Sequence, residues 1–156
     1  MVMGFHKTAR SVTARDENNF WVNALGMHNS SKPKMLEKTT QAYIKAVQRN
    51  RIDIVVHPRH NIDVQVGPLA QACAQRGTAI EISARRNHLE MTPQDIADAK
   101  REGAFFVIDS DGHKAEQIAQ FKQAIDFAEQ VGLTEQDIFN AEGYSGNLPI
   151  AFKGRV

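Results

Sequence analysis

The feature that most constrains this chain is a set of short apolar runs that do not alternate. Ile52–Val56, Thr78–Ile82 and Ala104–Ile108 are continuous, and Met1–Phe5 is a fourth run of similar length. A strand with one wet face alternates between polar and apolar residues. A continuous run is expected where both faces are covered, as in a parallel sheet flanked by helices. Helical spacing fills the gaps between the runs. Lys34 to Asn50 carries Leu36, Tyr43, Ile44 and Val47, and Gly67 to Arg76 carries Leu69, Ala70 and Cys73. Thr92-Pro93-Gln94-Asp95 reads as a helix start, with Thr92 as N-cap, Pro93 in the first turn and an acid at the third position. That helix holds Ile96 and Ala99, and Gly103 is placed to cap it. Ala115 to Val131 spaces Ile118, Phe121, Ile125 and Ala128 as one further helix before Gly132. The expected fold class is α/β, with parallel strands alternating with helices.

Size and composition agree with this. The chain has 156 residues and 42% hydrophobic content, which suits one domain around one core. Its 19 basic and 18 acidic residues leave a net charge of +1, so gross charge points to no large nucleic-acid footprint. The single cysteine, Cys73, forms no internal disulfide and reads as a small buried apolar residue; a reducing, cytoplasmic setting fits. No apolar stretch approaches the ~20 residues of a membrane span, and MVMGFHKTAR has no secretory h-region. Residues 7–32 read as a long loop with an apolar patch at Phe20-Trp21-Val22, and 143–156 as a loosely structured tail.

The polar residues that end these runs carry the chemistry. Met1–Phe5 ends at His6, Ile52–Val56 at His57, Thr78–Ile82 at Ser83, and Ala104–Ile108 at Asp109, followed by Asp111 and His113. In a parallel sheet all strand C-termini share one edge, and loops from separate strands converge there. Imidazole nitrogens with carboxylate oxygens form a ligand set for zinc, manganese or iron. The plainer reading of any one strand-end histidine is a hydrogen-bonded loop residue. Asp109 and Asp111 also read as helix N-caps. His28, His60 and His88 fall in loops and read as surface residues. Glu81 reads as a hydrogen-bonding partner for neighbouring strand-end groups. Arg59, Arg85 and Arg86 are either a solvated face or a substrate-binding set for phosphate on the same rim.

VIDSDGH resembles the Ser/Thr-Asp-x-His motif of the PHP (polymerase and histidinol phosphatase) domain family. IDIVVHP and TAIEIS resemble two earlier motifs of that family, a strand ending in His-Pro and a strand reading Glu-Ile-Asn. MVMGFH resembles the strand before them, whose histidine is a metal ligand in the family. Order and spacing match over residues 1–142. The resemblance implies a partial (β/α) barrel of the PHP type, one to three divalent metal ions (zinc or manganese), and hydrolysis of a phosphoester by metal-activated water. His6, His57, Asp111 and His113 fall on family metal ligands, with Asp111 and His113 as the catalytic couple. Glu81 and Ser83 fall on the Glu and Asn of the Glu-Ile-Asn element in a supporting role, and serine is the shorter residue. The family's N-terminal His-x-His motif and its metal-bridging glutamate have no counterpart in these residues, so the barrel lacks its N-terminal strands. The implied partners are a small phosphorylated substrate or a nucleic-acid end, no membrane, and either a homo-oligomer or a partner supplying the missing barrel strands. The alternative is a non-catalytic PHP-derived binding or assembly module, or one half of a split enzyme completed by its partner.

Overall fold

Four parallel strands lie side by side in the order in which they occur in the chain. The structure is a computed structural model and describes residues 11–12, 33–60 and 62–145. The strands are β1 (Ser11–Val12), β2 (Ile54–Val55), β3 (Ala79–Ser83) and β4 (Phe106–Asp109). Helices α1 (Pro33–Arg49), α2 (Val66–Arg76), α3 (Pro93–Arg101) and α4 (Lys122–Gln130) alternate with them. The α/β class and the open parallel sheet are as the apolar runs imply. Met1–Phe5 lies outside the described residues. β2 pairs on that side with Ser11–Val12, inside the stretch expected to be loop.

The pleat explains why the runs are continuous. Val55, Ile80, Ile82, Phe106 and Ile108 pack into the large core with the helices, beside Val47, Leu69 and Cys73. Ile54, Val56, Ala79 and Val107 form a second cluster with Phe139. Alternate residues of each strand therefore meet different buried layers, and every residue of β3 and β4 is buried. Cys73 is fully buried, and burial pushes its thiol up to about 12, so it behaves as an apolar core residue.

Helix ends follow the sequence signals. Thr92 and Asp95 form a capping box at the start of α3. At the end of α2, Gly77 takes φ 63°, where an L side chain is strained, and Thr78 N–H donates to the Cys73 carbonyl. One expectation fails. Ala115–Val131 is not one helix: a 3₁₀ turn over Ala115–Gln117 ends, Ala119 takes φ 65°, and α4 starts at Lys122. The cause lies upstream. His113 N–H donates to Gln117 Oε1, tying 113–117 into a turn of its own. That turn folds against Gly112, where a Cβ would stand 3.2 Å from the Gln117 backbone. Ile118 and Ile125 are consequently exposed, and Ala124 and Ala128 form the buried face of α4. Among the described residues no helix is long and apolar enough to cross a membrane.

Candidate metal centre

Three strand ends meet at the C-terminal edge of the sheet. His57 follows β2, His88 follows β3 after a short turn, and Asp111 follows β4. Each offers one ligand atom, and these atoms all lie within 4.8 Å of one another. The three side chains come from separate loops, and all are buried. Two reverse turns do the aiming. His60 N–H donates to the His57 carbonyl at 2.9 Å, and His88 N–H donates to the Arg85 carbonyl at 2.8 Å, so each turn brings its last residue back over the sheet. The rings of His57, His60 and His88 then nest, with centroids 3.9 to 5.1 Å apart. His60 Nδ1 also contacts Glu90 at 3.0 Å, and His88 Nδ1 contacts Asp111 Oδ2.

The electrostatics suit a cation. Burial, and then the neighbouring His88 ring, push His57 down to about 4, so its imidazole is neutral near pH 7. Burial also lowers His88, against the opposing pull of Asp111. His57 Nδ1 is buried without a hydrogen-bond partner among the described residues. An orphaned buried nitrogen is costly in a finished core and ordinary in a ligand shell. Two neutral imidazoles and a carboxylate match zinc, manganese or iron in ligand type. The residues present fit a bound divalent ion.

Both His57 and Asp111 hold positive φ, 28° and 41°. A non-glycine residue there costs roughly 1–2 kcal/mol and persists only where its surroundings fix it. His57 N–H donates to Glu81 Oε2, and Asp111 N–H donates to Asp109 Oδ1 at 2.8 Å. Glu81 is buried within β3, and burial, with Asp109 and Asp111 nearby, holds its carboxyl well above the usual range. Ser83 Oγ accepts from Arg85 N–H at 3.2 Å and steadies the start of the next turn.

The other expected residues fall as follows. His6 and His28 lie outside the described residues. His113 is not one of the three, with its side chain 60% exposed, but its Nδ1 lies 3.7 Å from Asp111 Oδ1. The same nitrogen lies 2.9 Å from the Asp111 carbonyl, and Arg85 Nη1 lies 2.7 Å from Nδ1 and 3.1 Å from Nε2. Arg59 is turned toward α3, where Nη1 donates to Asp95 at 2.7 Å with Asp63 at 3.8 Å, so its charge is already met. Arg86 is exposed. The surface roles expected for His60 and His88 are corrected: both are buried, and His88 joins the candidate ligand set. Strand-end position alone missed His88, which sits five residues beyond β3. The signal available was the loop Arg85-Arg86-Asn87-His88, short enough to fold back over a strand end. Neither Asp109 nor Asp111 caps a helix; Asp109 closes a local turn onto Asp111.

No protein-family model matches the chain. The chain is similar to curated proteins named probable phosphatase. One, from Shewanella piezotolerans, is 31% identical over 117 residues, covering 69% of this chain and 47% of the relative. Another, from Shewanella sp. strain ANA-3, is 31% identical over 125 residues, covering 74% and 49%. A third, from Caldanaerobacter subterraneus, is 27% identical over 112 residues, covering 67% and 44%. The chain thus spans about half the length of the relatives it matches, all of which carry the name of a phosphatase.

Proposed function

We propose that the chain bears the metal site of a metal-dependent phosphoesterase of the PHP type, acting on a small phosphorylated substrate or a nucleic-acid end. The observation that carries this reading is the convergence of His57, His88 and Asp111 from separate strand ends. The names of the relatives support the same class of reaction. A divalent ion such as zinc or manganese supplies Lewis acidity when bound, lowering the pKa of a water and screening charge on phosphoryl oxygens. His57 and His88 are driven toward their neutral forms by burial, so both meet a cation with lone pairs free of protons near pH 7. Asp111 contributes the negative charge. Arg85, brought to the rim beside His113, is the side chain we assign to the phosphoryl oxygens, because a guanidinium matches their geometry. Exposed His113 is assigned to proton transfer at the leaving oxygen rather than to the ion. Arg59, already paired, has no part in this reading.

The test is hydrolysis of p-nitrophenyl phosphate by the full chain, with and without added zinc or manganese. The reading expects turnover that rises with the ion and disappears in Asp111→Ala. Turnover unaffected by chelator, or equal in Asp111→Ala, contradicts it.

One observation favours a second reading. The chain spans about half the length of its relatives, and in this reading it is one half of a split enzyme that a second copy or a partner chain completes. Sedimentation of the purified chain distinguishes the two: a single chain that hydrolyses the ester alone removes the need for a partner.

A further inference from the structure

We propose that Glu81 is a positioning residue: its carboxyl group, buried in the middle strand, accepts from the backbone N–H of His57 and so fixes the ring of that candidate metal ligand across a strand boundary. The inference rests on the metal reading given above and names a residue that touches no ion.

The pleat places Glu81 where it is needed. In the β3–β4 register Glu81 stands opposite Val107, and Ser83 opposite Asp109. Ala79, Glu81 and Ser83 therefore share the face that carries Val107 and the small apolar cluster of Ile54, Val56 and Phe139. An apolar residue at 81 would extend that cluster without conflict. A carboxyl group there instead reaches to the end of the neighbouring strand β2, where its Oε2 accepts from His57 N–H, a contact between residues 24 apart in sequence. The accepting group is not generic padding. His57 is a non-glycine residue at φ 28°, and a strand end released from that angle would swing its ring out of the nest with His60 and His88. Asp111, the other candidate ligand at positive φ, is held in the same manner by Asp109, but from the end of its own strand. Glu81 is the one of the two that locks separate strands together. Its effect on the ion is therefore indirect: it sets where the His57 nitrogen points.

The test compares Glu81→Gln, which keeps an acceptor oxygen and the side-chain shape, with Glu81→Ala and Glu81→Met, which keep no acceptor. Two readouts are taken on the full chain. The first is amide hydrogen exchange at His57 without metal. The second is calorimetric titration with zinc chloride or manganese chloride alone. The expected result is that Ala and Met speed exchange at His57 at least tenfold and weaken ion binding at least tenfold, whereas Gln restores both to within about threefold of wild type. Met fills the space, so it still decides the matter if Ala fails to fold. Wild-type exchange at His57 in the Met variant, or a Gln variant as impaired as Met, overturns the proposal. If wild type binds no ion, the metal reading fails, and exchange at His57 still judges the clamp by itself.

Discussion

The turns after β3 and β4 each end in a histidine, yet they treat it oppositely. His88 is folded back over the sheet by the bond from its N–H to the Arg85 carbonyl and is buried against His57, His60 and Asp111. His113 is carried outward by the turn that ties its N–H to Gln117, and it meets Arg85 at the surface. A strand end therefore supplies nearness to the site, and the hydrogen bonds of the following turn decide which way the side chain faces. A candidate ligand and a rim residue arise from corresponding turns of the fold.

Four measurements test this contrast. The largest effect is expected at Asp111, which serves both turns through contacts to His88 and to His113. Asp111→Ala should weaken zinc or manganese binding about a thousandfold, ~4 kcal/mol, and abolish ester hydrolysis. Titration of the purified variant checks this, and near wild-type affinity would dissolve the cluster.

The second concerns pH and the metal-free protein. Folded His57 lies near 4, below its ordinary 6.5. Between those values the unfolded chain takes up a proton that the native chain does not. Stability is therefore full above about pH 6.5 and falls toward pH 4, by roughly 2–3 kcal/mol from this group. Glu81 slopes the other way: its raised carboxyl keeps a proton that the unfolded chain loses above 4.5, so its contribution declines as pH rises. Denaturation of wild type against His57→Gln across that window separates the two. The wild type should lose more stability on acidification, and parallel curves would show that His57 is not buried in a neutral form.

The third acts on the exposed side. Arg85→Ala should raise KM for a phosphate ester about tenfold, ~1.4 kcal/mol, and leave ion affinity within a factor of two. Steady-state kinetics and metal titration on the same variant read both. The smallest effect belongs to a region remote from the ion. Thr92→Ala removes the capping box of α3 and should lower stability by about 1 kcal/mol, with ion affinity unchanged.

Much of the scaffold was legible in the residues. Continuous apolar runs gave three of the strands, and Thr92-Pro93-Gln94-Asp95 gave the start of α3, because pattern and cap chemistry are local. His57 and Asp111 were legible for a related reason: each follows a strand within two residues. His88 was not, since its place depends on a turn whose closing bond is between backbone groups, which residue type does not encode. The break before α4 was hidden similarly. Ala119 takes a left-handed conformation that nothing about alanine announces, and the side-chain bond from Gln117 to the His113 amide competes with helix continuation there. The pairing of Arg59 was not legible, because Asp95, which meets its charge, sits 36 residues later on another element.

The central claim is that the buried histidine of the β3 turn, and not the exposed one of the β4 turn, binds the ion. Zinc titration of the full chain in His88→Ala and in His113→Ala tests it most directly. At least a tenfold loss of affinity is expected in His88→Ala, and a change of less than about threefold in His113→Ala. The reverse pattern, with His113→Ala impaired and His88→Ala like wild type, would contradict it.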